Sequence, residues 1–196
     1  VAETAAQAKD ASELIEVDYE PLEAVVSTAD ADKADAPAVW DDCPDNVCFT
    51  QFMGDKEATE KAFAEAHHVA KCRLIINRVT AATMEPRGSI GDYNSADDHY
   101  TLHTGLQRAF GYRAQLASQV LKVPESAIRI IAGDIGGSFG MKSPIFNETP
   151  LVLLASKLLG RPVKWTSSRS EAFLSDAQAR DNATEAELAL DRDGNF

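Results

Sequence analysis

Apolar positions recur along this chain with two different periods, and the elements follow from where each period starts and stops. At residues 14–19 Ile15, Val17 and Tyr19 alternate with acids, which predicts a half-buried strand ended by Pro21. Residues 55–71 instead keep Ala58, Ala62, Phe63, Ala66 and Val69 at helical spacing, and residues 72–77 then return to a strand pattern. Residues 89–93 and 99–103 form two short strand patterns around the turn Asn94-Ser95-Ala96-Asp97-Asp98, which predicts a hairpin. Helical spacing resumes at 106–121 through Phe110, Leu116, Val120 and Leu121, with Pro124 after the stop. The apolar run 128–132 predicts a strand. Asn147-Glu148-Thr149-Pro150 then opens a helix that runs through Leu151 and Leu159 to Gly160, followed by a strand at 163–166 and an alternating segment at 183–190. Interleaved helices and strands give an α+β (mixed α/β) class with a mixed sheet.

The segments between these patterns suggest the domain organisation. Residues 1–10 are Ala-rich and polar, and 27–37 are rich in Ala, Asp and Lys with little to bury, as in a linker or long loop. A domain boundary is expected near 38–50. The chain opens on Val and stops in the turn Asp191-Arg192-Asp193-Gly194-Asn195-Phe196, without the second arm of a hairpin. Both ends suggest a segment of a longer polypeptide.

Charge narrows the partners. With 196 residues and 44% hydrophobic content the chain has enough apolar material for a core, and its formal charge is -12. A general phosphate-backbone binder needs clustered Lys and Arg, so nucleic acid is a poor partner. No apolar run approaches the roughly 18 to 20 residues of a membrane span, and the first ten residues lack the basic and apolar regions of a signal peptide, so a cytoplasmic location is expected. Cys43, Cys48 and Cys72 include no CxxC and predict ordinary thiols. His67, His68, His99 and His103 show no i, i+4 ligand pair, with the first two expected on a helix.

The candidate chemistry lies at Gly133-Asp134-Ile135-Gly136-Gly137-Ser138-Phe139-Gly140-Met141-Lys142, directly after the 128–132 strand. The spacing G-x-x-G-G-x-x-G lacks the G-x-G-x-x-G of a dinucleotide fold, and Met141 stands where a P-loop needs Gly before Lys. Two readings remain open: the glycines make only a tight strand-to-helix crossover, or they bring bare backbone to a bulky, anionic ligand. Phe139, an aromatic between Gly137 and Gly140, weighs toward the pocket, since its exposure in a loop is costly unless something packs on it. Lys142 would meet a phosphate or close the loop through a salt bridge. No local residue pairs with Glu85, which points to a structural role before Pro86. Arg169 and Glu171 are expected to form a structural ion pair, and the acids within 30–35 a solvated surface.

In this order the motifs resemble the molybdenum hydroxylases, the family of xanthine dehydrogenase, aldehyde oxidase and aerobic carbon monoxide dehydrogenase. The glycine loop is similar to their GGGFGGK loop, Met84-Glu85-Pro86-Arg87 to LEP/MEP, and Thr104 to Gln107 to S-T-Q. Leu121-Lys122-Val123-Pro124 resembles LGVP, and Gly160-Arg161-Pro162-Val163-Lys164-Trp165 with Arg169-Ser170-Glu171 resembles GRPVKW and its R-x-E. The series covers residues 80–196. Upstream, residues 11–22 are similar to the end of the α/β hammerhead domain of the molybdopterin-binding large subunit. Ser138 and Met141 depart from the loop pattern by replacing glycines, at a cost if Ser138 has positive φ. Gln178-Ala179-Arg180-Asp181 stands where relatives often carry His-x-Arg.

The resemblance implies residues 1–45 as the C-terminal part of a hammerhead domain with its linker, and 46–196 as the N-terminal part of a molybdopterin-binding domain. It implies a cofactor site at Gln107, Gly136, Gly137, Ser138, Phe139 and Gly140, with no direct metal ligand from the protein. Gln107 would hydrogen-bond an oxo ligand, and Phe139 with Gly140 would line the metal's surroundings. The implied cofactor is molybdenum–molybdopterin, as the cytosine dinucleotide in a bacterium, with iron–sulfur and FAD subunits or domains as partners. The implied reaction oxidises an aldehyde, carbon monoxide or an N-heteroaromatic ring with water as the oxygen source. A base glutamate is expected in a later G-E-P segment, which leaves this segment alone inactive and without cofactor. The alternative is a stand-alone α/β module whose loop holds an anionic ligand without catalysis.

Overall fold

The computed structural model describes residues 2–196. The chain forms two compact units, one taking the N-terminal residues through Glu16 with Val79–Ala179, the other Val17–Arg78 with Arg180–Phe196.

The first unit opens with helix α1 (Ala5–Glu13), started by a capping box in which the Thr4 hydroxyl accepts from the Gln7 N–H and the Gln7 side chain accepts from the Thr4 N–H. This box turns the Ala-rich start, which has no apolar face to bury, into an exposed helix. Residues 14–19 do not form the expected strand. Leu14 and Ile15 still bond back to Ala11 and Ser12 at the end of α1, and residues 15–19 pair with no strand, with Leu14 83% and Tyr19 79% exposed, because alternation yields a strand only where a neighbouring ladder accepts its backbone groups.

In the second unit the 27–37 loop is fastened by Asn46, whose amide donates to the Ala31 and Pro37 carbonyls at 2.8 and 3.0 Å and accepts from the Val39 N–H at 2.8 Å. Helix α2 (Lys56–Glu65) is capped by the Asp55 carboxylate on the Ala58 N–H. It ends sooner than its apolar spacing predicts, because Ala66 turns to extended backbone and the His67 N–H donates to the Leu190 carbonyl at 2.8 Å. His67 and His68 are therefore off the helix, and His68 opens β1 (His68–Thr80). That long strand pairs with β6 (Gln178–Leu190) in a two-stranded sheet. Cross-strand ion pairs join Lys71 to Glu187, Arg73 to Glu185 and Arg78 to Asp181, so the strands run antiparallel.

The larger sheet lies in the first unit. Strands β2 (Gly88–Asn94) and β3 (His99–Thr104) form the expected hairpin, with Tyr93 opposite Tyr100 and Gly91 opposite Leu102. Asn94 turns the corner by accepting from the Ala96 N–H. Helix α3 (Ala109–Gln115) starts three residues later than its apolar spacing, since Arg108 at φ 62 is left-handed, and it widens into a π-helical turn over Leu116–Leu121. Strand β4 (Ile128–Ile131) returns parallel to β3. The glycine loop follows, then α4 (Glu148–Leu159), β5 (Val163–Thr166) antiparallel to β2, and α5 (Arg169–Ser175). Sheet order is β4-β3-β2-β5.

Helix α4 lies along β2 and β5 and buries Val152, Leu153 and Ser156. The buried Ser156 hydroxyl accepts the partly buried Tyr93 N–H at 3.0 Å, which holds the helix to the strand. Asn147 makes no side-chain cap, and Gly160 ends the helix at φ 63 as expected. Tyr100, Leu102, Leu106, Tyr112, Leu116 and Ile128 complete the core on this side of the sheet. Arg169 and Glu171 do not pair. Glu171 forms a capping box with Ser168, and Arg169 donates to the Met84 carbonyl at 2.9 Å.

Candidate functional site

The glycine loop leaves the end of β4 and crosses the segment that precedes β2. There the Glu85 N–H donates to the Gly136 carbonyl at 3.1 Å, and the Gly136 N–H returns a bond to the Glu85 carboxylate at 2.9 Å. A Cβ on Gly136 would sit 2.5 Å from the Glu85 Cβ, so only glycine permits this crossing. The same carboxylate oxygen accepts from the Lys142 ammonium at 2.9 Å, whose side chain is 2% exposed. Lys142 and the Gly136 N–H hold the Glu85 carboxyl below its ordinary value. Glu85 thus has a partner after all, 57 residues along the chain, and Lys142 closes the loop with a salt bridge.

Three non-glycine residues around the loop take left-handed backbone: Ala82 at φ 44, Arg108 at φ 62 and Phe139 at φ 51. Such conformations cost about 1–2 kcal/mol each and persist where the surroundings over-determine them, often at functional sites. Ala82 leads into buried Thr83, whose hydroxyl donates to the Glu85 carbonyl at 2.7 Å. Arg108 turns the chain directly after Gln107. Phe139, flanked by Gly137 at φ 98 and Gly140 at φ 91, leaves its ring 81% exposed. Ser138 is not among the positive-φ residues, so a side chain there carries no such strain. Its hydroxyl instead accepts from the Lys142 N–H at 3.2 Å.

Gln107 faces the second half of the loop. Its N–H donates to the Lys142 carbonyl at 3.3 Å, and its side-chain oxygen accepts from the Gly140 N–H at 3.1 Å and the Ser143 hydroxyl at 3.0 Å. Among the described residues its Nε2 donates to nothing. Nor do the N–H groups of Gly137, Ser138 and Phe139 find a protein acceptor. Those of Gly136 and Gly140 are taken by Glu85 and Gln107, so the open donors are the three successive ones between them. Consecutive free N–H groups make a concavity for an anionic group.

Beneath the site lies Arg87, 6% exposed, which sequence reasoning passed over because its partners are remote in sequence. Its guanidinium donates to Asp176 at 2.6 Å, Glu148 at 2.9 Å and Ser175 at 2.8 Å, with its centre 3.8 Å above the Phe146 ring. Burial alone would push the Arg87 pKa down, but its hydrogen bonds to Glu148 and Asp176 outweigh it and hold it up. No group of His, Cys, Asp and Glu among the described residues is arranged to hold a metal ion. None of their helices is long and apolar enough to cross a membrane.

Residues 39–196 match the molybdopterin cofactor-binding domain family. The chain belongs to this family. It is 35% identical over 199 residues to the carbon monoxide dehydrogenase large chain of Afipia carboxidovorans, covering 95% of this chain and 24% of that one. To the 6-hydroxypseudooxynicotine dehydrogenase complex subunit gamma of Paenarthrobacter nicotinovorans it is 32% identical, with coverage of 95% and 23%. Its fold superposes on quinoline 2-oxidoreductase from Pseudomonas putida 86 with a TM-score of 0.84 at 35% identity, over 97% of this chain and 24% of that one. The chain therefore spans about a quarter of the length of the relatives it matches. The comparisons lend no support to a stand-alone binding module.

The residues present fit a molybdopterin. Three successive N–H groups without a protein acceptor and an unpartnered amide donor together suit a bulky anionic cofactor that brings its own metal ligands.

Proposed function

We propose that this chain is part of the large subunit of a molybdenum hydroxylase, with residues 1–45 ending a hammerhead domain and 46–196 beginning the cofactor domain. Gln107, Gly136, Gly137, Ser138, Phe139 and Gly140 form its side of the cofactor site. The observation that carries this reading is that the Gln107 amide, bonded to the loop at the Gly140 N–H, and the N–H groups of residues 137–139 all keep donors without a protein acceptor. When bound, the cofactor supplies the two-electron oxidation that lets oxygen from water enter the substrate.

Each residue has a distinct task. The N–H groups of Gly137, Ser138 and Phe139 bind the anionic face of the pterin. The Gln107 amide would hold the cofactor by donating from its free Nε2 to an oxo ligand that the cofactor carries. The exposed ring of Phe139 excludes water from one side of the metal. Glu85 and Lys142 hold the loop in place from behind and touch no cofactor.

The complete enzyme takes a small substrate, an aldehyde, carbon monoxide or an N-heteroaromatic ring, and uses a base glutamate from a later segment. Electrons leave to iron–sulfur and FAD partners, and in a bacterium the cofactor is the cytosine dinucleotide form. The test is elemental analysis of the full-length subunit purified with its partners. Molybdenum bound in stoichiometric amount is expected in the wild type, and strong depletion in Gly136→Ala at a melting temperature that shows a folded protein. A wild-type complex without molybdenum, or a Gly136→Ala complex that retains it in full, would sink the proposal.

A further inference from the structure

Ser143 belongs to none of the motifs and was no part of the expected site, yet it holds the residue that the reading above places closest to the metal. Orientation of the Gln107 amide decides whether it offers a donor or an acceptor. Two contacts set that orientation. A backbone N–H can only donate, so the atom 3.1 Å from the Gly140 nitrogen must be the carbonyl oxygen. The Ser143 hydroxyl, 3.0 Å away, gives its proton to the same oxygen. Between Gln107 and this stretch the backbone adds the bond from the Gln107 N–H to the Lys142 carbonyl.

We propose that Ser143 is a positioning residue: with the Gly140 N–H it saturates the Gln107 carbonyl oxygen and so presents Nε2, with both its protons, to the cofactor. The geometry of Ser143 suits this role. Its N–H donates to the Gly140 carbonyl at 3.2 Å, which closes a turn and brings its hydroxyl to the same side as the Gly140 N–H. Without that hydroxyl a single long bond holds the amide, which can then swing about its last torsion, where rotamer wells are broad. Residues that orient a group beside a metal change affinity or activity by about 10–100-fold when removed. The inference rests on the cofactor assignment above.

The test uses the full-length subunit in its complex, comparing Ser143→Ala and Ser143→Thr with the wild type and with Gln107→Ala. Ser143→Ala should keep the melting temperature and the molybdenum content. Its kcat should fall about tenfold with little change in KM. Its molybdenum electron-paramagnetic-resonance signal should move in the direction seen for Gln107→Ala. Ser143→Thr, which keeps the hydroxyl, should recover most of both changes. A Ser143→Ala enzyme with wild-type kcat and signal would overturn the proposal, as would a Ser143→Thr enzyme no better than Ser143→Ala. Absence of molybdenum from the wild type would strike the cofactor assignment instead. The positioning role would then be decided by crystal structures of the metal-free proteins: an amide turned away from Gly140 in Ser143→Ala supports it, and an unmoved amide defeats it.

Discussion

Phe139 combines two costs that a loop residue normally avoids. Its backbone is left-handed at φ 51 and its ring is 81% exposed. Neither is offset by packing within this chain, which supports the proposed role of the ring beside a bound cofactor. Phe139→Gly should therefore raise stability, because the relief of about 1–2 kcal/mol of left-handed strain exceeds the 0.5–1 kcal/mol that glycine loses on ordering. Urea unfolding should show a gain of roughly 0.5–1 kcal/mol, and the full-length variant should hold molybdenum less tightly. A loss of stability would mean that the ring packs on the protein itself. The glycines and Phe139 were legible in the sequence because their types report backbone demands directly. Ala82 and Arg108 were not, since nothing in an alanine or arginine announces positive φ. Ser143 was missed for another reason: a single serine has many uses, and its value depends on an amide 36 positions away.

Arg87 matters to the elements rather than to the site alone. From the start of β2 it reaches the C-terminal end of α5 through Ser175 and Asp176 and the start of α4 through Glu148, and its own carbonyl accepts the Ser167 N–H at 2.9 Å. One side chain thus fixes how two helices meet the start of β2, just after Glu85, which holds the glycine loop. Arg87→Ala leaves the Asp176 carboxylate, only 2% exposed, without its cation, and should cost about 3–5 kcal/mol. Arg87→Lys should recover part of this, since a point charge cannot satisfy three acceptors with a planar fork. Chemical denaturation of the three proteins distinguishes the cases, and a cost near zero for Arg87→Ala would show the cluster to be replaceable. Hairpin and α4 were readable because turn chemistry, periodicity and a terminal glycine are local signals. The 14–19 strand failed because pairing is not local, and the pairing of Arg169 with Glu171 failed because Ser168 gave Glu171 a nearer task as a cap.

At the scale of the molecule, each compact unit leaves apolar surface that its own residues do not cover. In the first unit α4 turns Leu151, Leu154 and Leu158 outward on the side away from Val152 and Leu153. In the second, Leu74, Ile75 and Ile76 are successive in β1 and all exposed, so both faces of the two-stranded sheet lie open where a stable sheet needs further strands or a helix. Patches of this kind mark surfaces covered by other parts of a protein or by partners. Relatives four times as long have ample chain for that role. The isolated chain, purified at neutral pH, should accordingly bind a hydrophobic dye such as anilinonaphthalene sulfonate strongly and should carry neither molybdenum nor hydroxylase turnover. The full-length subunit should show little dye binding under the same conditions, because these faces are then internal. Weak dye binding by the isolated chain would mean that its exposed strands and helix pair between copies, which a concentration-dependent sedimentation profile would reveal. Retained molybdenum would mean that the Gln107 and glycine-loop side of the site suffices to hold the cofactor, and that the remainder of the subunit is needed for turnover alone.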